Sequence, residues 1–419
     1  MFLELDQEGR AEQIQATANL LDTIADMGLD GGGSFDIANF NETTIQTVGD
    51  LLSILHDAAL FNSFKLGFSR DNGDLTVFEQ AYKFLLTTST LDTFIYDDTL
   101  TEAQRLEALE ADLVAIDNNF GDGSTDGWNG ETGEIQRFVN VMVAFVNTGI
   151  DFATFGGDSI SGLLNTLEGL GKVETLLLSM NDSVLIGPAI GNLFGNIFES
   201  DSFNINGLNM GDSHTAFFTL ETTTKEEKAT EISLILDIYW DIQSIGLTGG
   251  GAFTSDLIDP PLFEGLLDKM YQSQVFNTFK SGNSYVNGDL TVFEQTVRMI
   301  LNTSTLDTFI YDEPDNNARL DLLQTDISAL TNSFGDTESA SDWRGESGEI
   351  ARIIGVLTAF KNTEIDFATF GGDSISGLLN TEPGLLKVEN LLLAMNDSTL
   401  VSPSIGNLFG NIFESDSFN

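Results

Sequence analysis

The 419-residue chain contains no cysteine, so disulfide frameworks, thiol nucleophiles and thiolate metal centres are excluded. Two histidines do not support a histidine-rich zinc or copper centre. Basic residues are scarce: 17 Lys plus Arg face 65 Asp plus Glu, a formal charge of −48. Nucleic-acid phosphates and anionic headgroups repel such a chain, which argues against nucleic acid or a bare membrane as a partner. Long apolar runs are missing as well. The stretch 176–194 is interrupted by Asn181 and Asp182 and falls short of the roughly 20 apolar residues that span a bilayer, so no membrane insertion is expected. The opening MFLELDQEGR has neither the basic nor the apolar region of a signal peptide.

Against these absences stand 41% hydrophobic and 10% aromatic residues, including 32 Phe, enough to bury a sizeable core. The acidity therefore does not mark a disordered tail. The length alone suits two to four domains.

Self-comparison shows a tandem repeat with an offset of 215 residues. TSTLDTFIYD stands at 88–97 and 303–312, DFATFGGDSISGLLNT at 151–166 and 366–381, and IGNLFGNIFESDSFN at 190–204 and 405–419. Copy 1 spans 1–215, with modules of about 1–68 and 69–204 and a linker at 205–215; copy 2 spans 216–419, with modules of about 216–283 and 284–419. A weaker sub-repeat, a Gly-Gly turn leading to paired phenylalanines, suggests the two modules within each copy. Met1 aligns with a point where a repeat is already under way, so a segment of a longer array is expected.

The periodicity is helical. In 159–180, Ile160, Leu163, Leu164, Leu167, Leu170, Val173 and Leu177 recur every three or four residues, predicting one helix capped by Asp158 or Ser159. Ile14, Ala18, Leu21 and Ala25 predict the buried face of a first helix that Gly28 ends. The segment 134–147 is apolar on nearly every face and belongs at the centre of a module. Period-two alternation is absent. The expected fold is all-α: a tandem array of helical bundle modules joined by Gly-rich turns.

One motif carries chemistry. NGDLTVFEQ occurs at 72–80 and again at 287–295, between apolar helical stretches. It resembles the second half of an EF-hand calcium loop, in which a turn glycine is followed by a carbonyl ligand, an apolar residue, a polar ninth position and a bidentate Glu at the twelfth. The resemblance makes Asn72, Asp74, Thr76 and Glu79 candidate ligands for Ca²⁺, with Asn287, Asp289, Thr291 and Glu294 in copy 2. Gly73 and Gly288 take the turn. The first half departs from the pattern, because its opening positions are Phe68 or Asn283 and its third positions Arg70 or Tyr285. The other reading is a helix cap, with Glu79 completing a capping box from Thr76.

A second constellation, W-x-G-E-x-G-E-I, places Trp128, Gly130, Glu131, Gly133 and Glu134 in copy 1 and Trp343, Gly345, Glu346, Gly348 and Glu349 in copy 2. Such carboxylates either hold a hard cation or favour the positive end of a helix. Two carboxylates three residues apart on one helical turn cannot flank a glycosidic bond. His56 is matched by Tyr271, and His214 lies in the linker; neither reads as a catalytic base. The F-x-x-F pairs are core residues or anchors between modules or chains. Sequons stand at Asn41, Asn181, Asn302 and Asn396.

No catalytic residue is assigned and no enzyme is expected. The composition and the verbatim copies point to a structural or adhesive surface protein forming a rod, filament or layer. It would be extracellular, self-associating through further copies or neighbouring repeats, and stabilised by divalent cations or high salt. The alternative is a calcium-responsive module that recruits a partner through a Phe-lined groove.

Overall fold

The computed structural model describes residues 5–26, 41–58, 61, 75–88, 91–96, 100–119, 127–149, 162–191, 193–194, 224–246, 259–280, 283–284, 290–304, 306–311, 313–333, 343–364 and 372–414. The chain forms two compact units, Met1–Ser200 with Leu220–Ile232, and Asp201–Thr219 with Ser233–Asn419.

The first unit contains α1 (Gln7–Asp26), α2 (Glu42–Asp57), α3 (Val77–Thr88), α4 (Asp92–Ile95), α5 (Glu102–Asn119), α6 (Glu134–Thr148), α7 (Leu167–Asp182) and a 3₁₀ turn at Gly187–Ala189. It also takes in the first residues of α8 (Lys225–Ile245). Local chemistry sets the helix ends. The Asn41 side chain accepts the N–H groups of Thr43 and Thr44 at 3.0 and 3.1 Å, so α2 starts there. Gly149, in the left-handed region, ends α6. As its largely apolar sequence predicts, α6 is central: Ile135, Phe138, Val139, Val141, Met142 and Phe145 are buried, it packs against both α2 and α7, and Asn140 and Asn147 mark its exposed side.

The second unit contains the rest of α8, then α9 (Pro260–Gln272), α10 (Gln274–Thr278), α11 (Val292–Thr303), α12 (Asp307–Ile310), α13 (Asn316–Ser333), α14 (Glu349–Thr363), α15 (Gly372–Leu379), α16 (Glu382–Asp397), a 3₁₀ turn at Ser402–Ser404 and α17 (Ile405–Glu414). Val77 and Val292 open α3 and α11, Glu134 and Glu349 open α6 and α14, and Leu167 and Glu382 open α7 and α16, each pair 215 residues apart. Here α14 takes the central place, against α9 and α16. The fold is all-helical. Among the described residues the one sheet is a two-residue antiparallel ladder, Phe279–Lys280 with Asn283–Ser284. Asn283, the opening position of the calcium-loop pattern in copy 2, lies in it.

Three details differ from the sequence expectation or refine it. The helix expected over 159–180 is interrupted: Thr166 is extended, its hydroxyl accepts the Gly169 N–H at 3.1 Å, and α7 starts afresh at Leu167. A side-chain cap inside an apolar run outweighs the continuous periodicity. In copy 2 the same break separates α15 from α16, with Thr381 as the cap. The face expected to be buried on α1 is the open one, since Ile14, Ala18, Leu21 and Ala25 are exposed while Leu20 is buried. Finally, α2, from the segment 1–68, packs against α6, from the segment 69–204. The Gly-rich turns at 28–35 and 154–161 lie outside the described residues.

Candidate functional site

The W-x-G-E-x-G-E-I segment forms a tightly constrained, buried polar site in each unit. Gly130 has φ +91° and Gly345 φ +86°, a conformation that side chains resist. A Cβ on Gly133 would overlap the carbonyl oxygens of Trp128 and Asn129, and one on Gly348 those of Trp343 and Arg344. The loop is therefore folded tightly back on itself. Its Gly133 N–H donates to the Gly130 carbonyl at 3.1 Å, and the Ile135 N–H to that of Trp128 at 3.0 Å. The spacing of the two glycines is thus the spacing of a turn that drops Trp128 into the core and starts α6 with a carboxylate.

That carboxylate, Glu134, is fully buried. It accepts the Ser183 hydroxyl and the backbone N–H groups of Val184 and Leu185, at 3.0 and 3.1 Å. Arg137 lies 4.0 Å away. Ser183 in turn accepts the Ile186 N–H at 3.0 Å. Glu349 repeats the arrangement, with the Ser398 hydroxyl at 2.6 Å, the N–H groups of Thr399 and Leu400 at 3.0 and 2.9 Å, and Arg352 at 3.7 Å. One side chain thereby ties the start of the central helix to the turn after the next long helix, about 50 residues on, and satisfies donors that burial would otherwise strand. Burial pushes Glu134 above the usual carboxylate range, while the bonds from Ser183, Val184 and Leu185 and the Arg137 charge pull it back. Tyr82 donates to the Glu134 carbonyl at 3.3 Å. Burial, helped by the Glu134 charge, holds its phenol well above its ordinary range.

Around each loop sits an aromatic nest. Phe78 meets His56, Tyr82 and Trp128 edge to face at centroid separations of 5.2, 6.2 and 4.9 Å. In copy 2, Tyr271, Phe293 and Trp343 stack likewise at 5.3 and 5.0 Å. Such pairs contribute about 0.5–1.5 kcal/mol beyond their buried area. His56 is thus a core ring with Asp57 at 3.3 Å, and Tyr271 replaces it with the same edge contact.

The calcium-loop candidates divide. Asn72, Asp74, Asn287 and Asp289 lie outside the described residues. Thr76 and Glu79 are buried and form a reciprocal cap: the Thr76 N–H donates to Glu79 Oε2 at 2.6 Å and the Glu79 N–H to Thr76 Oγ1 at 3.1 Å. Thr291 and Glu294 form the same capping box at 2.8 and 3.2 Å. Bidentate binding of calcium draws on both carboxylate oxygens, and in each copy one of them already serves the cap. Among the described residues, no group of three or more Asp, Glu or His side chains is placed to hold a metal ion.

A cavity of about 580 Å³ opens between α3 and α5, lined by Leu75, Phe84, Thr87, Arg105 and the ion pair of Lys83 with Glu110 at 2.6 Å. At the corresponding place in copy 2, Arg298 donates to Gln324 at 3.0 Å. Neither pair couples a nucleophile to a base. Of the sequons, Asn41 is a cap and Asn181 is buried, donating to the Lys225 carbonyl at 2.9 Å, whereas Asn396 is exposed.

Sequence reasoning placed Glu134 and Glu349 at a helix start but missed their distant partners. The signal was present: both copies follow Asn-Asp with Ser183 or Ser398, and an acidic residue opening the most apolar helix needs buried donors. No family model, characterised protein or solved structure matches the chain. No described helix is long and apolar enough to cross a membrane.

Proposed function

We propose that the chain is a structural or adhesive surface protein of tandem helical repeats, self-associating outside the cell, with its excess carboxylates neutralised by divalent cations or concentrated salt. The observation that carries this reading is the repetition of the same internal fastening, Glu134 to Ser183–Leu185 and Glu349 to Ser398–Leu400, in both copies. The buried acids serve to hold helices together, and what recurs between the copies is a scaffold. A formal charge of −48 opposes close approach of copies. Salt at about 1 M shortens the screening length to about 3 Å and removes that barrier. Calcium at roughly millimolar concentration, as outside cells, acts in the same direction.

Negative-stain microscopy and light scattering test the proposal. Rods, filaments or layers are expected in high salt or Ca²⁺, dispersing on chelation in dilute buffer. A chain that stays dispersed under every condition overturns it. If the NGDLTVFE loops bind the ion, Glu79→Gln with Glu294→Gln reproduces the effect of chelation.

A further inference from the structure

The cavity between α3 and α5 takes no part in the Glu134 fastening, and the chemistry of its lining narrows what it can hold. Three of its ten lining residues, Leu75, Phe84 and Leu106, are apolar. A lipid tail or another wholly apolar ligand would strand the polar remainder. Two of the others are cations, Lys83 and Arg105, and two are anions, Glu102 and Glu110, so the lining carries no formal net charge. In a chain of formal charge −48, an anionic ligand finds no local excess of positive charge to offset the repulsion of the whole molecule. A cation meets Lys83 and Arg105 beside the two carboxylates. The lining therefore suits a neutral ligand that both donates and accepts hydrogen bonds.

Phe84 narrows the class further. Its ring lines the cavity and is 53% exposed. One face of a pyranose ring presents C–H groups and packs on an aromatic surface, while the hydroxyls on its edge donate and accept. Lys83 Nζ donates to Glu110 Oε1 at 2.6 Å, and the two side chains are 22% and 42% exposed. The pair sets donor hydrogens beside an acceptor carboxylate, a pattern that two neighbouring sugar hydroxyls match. Gln80 and Thr87 add groups that act in both senses. The volume of about 580 Å³ lies within the range of small-molecule sites and suits one or two sugar rings.

Copy 2 supplies an internal contrast. Residues 72–80 and 88–97 recur verbatim at 287–295 and 303–312, yet between them Lys83, Phe84 and Thr87 give way to Arg298, Met299 and Asn302. Met299 is only 8% exposed, and Gln324 stands in for Glu110 as the partner of the basic side chain. The exposed ring and the carboxylate acceptor are thus both absent from the corresponding place in copy 2.

We propose that the copy 1 cavity binds a neutral sugar, one pyranose ring stacked on Phe84 and its neighbouring hydroxyls bonded to the Lys83–Glu110 pair. The inference goes beyond the assembly proposed above and does not depend on it. It names the class of ligand that an adhesive surface would hold.

Saturation-transfer NMR and calorimetric titration of the full-length chain with cellobiose, lactose, maltose and N,N′-diacetylchitobiose, each to roughly 10 mM, test the site. At least one of the four is expected to bind saturably at a single site. Sialyllactose, which adds a negative charge to lactose, is expected to bind no better than lactose. Phe84→Met and Glu110→Gln, which install the side-chain types found in copy 2, should each weaken binding by about tenfold. Phe413→Ala, at a position on α17 that is 62% exposed, should leave binding unchanged and so controls for stacking on any open ring. Circular dichroism melts check that each variant is folded. The site is overturned if none of the four sugars binds, if sialyllactose is preferred over lactose, or if Phe84→Met binds as tightly as the wild type. Sugar binding by a chain that stays monomeric in every salt leaves the site standing and overturns the assembly, and assembly without sugar binding does the reverse.

Discussion

Replacing Glu349 by Gln tests whether the buried carboxylate holds the second unit together. In the wild type, Oε1 accepts the Ser398 hydroxyl and the Leu400 N–H, and Oε2 accepts the Thr399 N–H. Glutamine keeps one carbonyl oxygen for the first two donors but turns an NH₂ group toward Thr399, leaving two donors opposed in a buried site. A hydrogen bond to a charged acceptor is worth about 1.5–3 kcal/mol, and a stranded donor costs about 1–3 kcal/mol. The net destabilisation is therefore about 2–3 kcal/mol. For a unit of this size that lowers the melting temperature by about 4–12 °C. Glu349→Ala, which strands all three donors, costs more. Thermal melts of the full chain by far-UV circular dichroism read the effect, with the exposed neighbour Glu346→Gln as the control expected to melt like the wild type. A Glu349→Gln melt indistinguishable from that of Glu346→Gln would refute the idea that this side chain fastens α14 to the 398–400 turn.

Other outcomes follow from the same geometry. Thr291→Ala removes one half of the capping box of α11 and is expected to cost about 0.5–2 kcal/mol in urea denaturation; a loss under about 0.3 kcal/mol contradicts the cap. Glu134 has a folded-state pKa raised above its unfolded value, so the native state binds the proton more readily and this group's contribution to stability falls as pH rises from the ordinary carboxylate range through the raised value. Melts of the wild type minus those of Glu134→Gln should accordingly show relative stability rising on acidification across that window, and a flat difference removes the assignment. Glu79→Gln with Glu294→Gln measured in EDTA separates the two roles of these residues: a stability loss that persists without metal belongs to the caps, and one that vanishes belongs to an ion.

Much of the architecture is legible in the sequence because helical periodicity and repetition are strong signals. The segment 134–147, apolar on nearly every face, reads as central, and α6 packs against both α2 and α7. The cap at Thr76 and Glu79 is readable from three-residue spacing. What was not legible depends on partners far away in the chain. Glu134 and Ser183 are 49 residues apart, and nothing local says that a carboxylate at a helix start reaches a later turn. The interruption before α7 hinges on Thr166 bonding its own backbone, a choice that apolar spacing does not encode. The α1 face was misjudged for a physical reason. Periodicity identifies an apolar stripe but not what covers it, and Ile14 and Leu21 are open within this chain.

Sedimentation velocity of the full-length chain, from dilute metal-free buffer to about 1 M NaCl and then with millimolar Ca²⁺, tests the central claim most directly. Screening of the negative surface is predicted to convert a slowly sedimenting monomer into progressively larger, concentration-dependent species. A single monomeric boundary, unchanged across the series and across protein concentration, would contradict it.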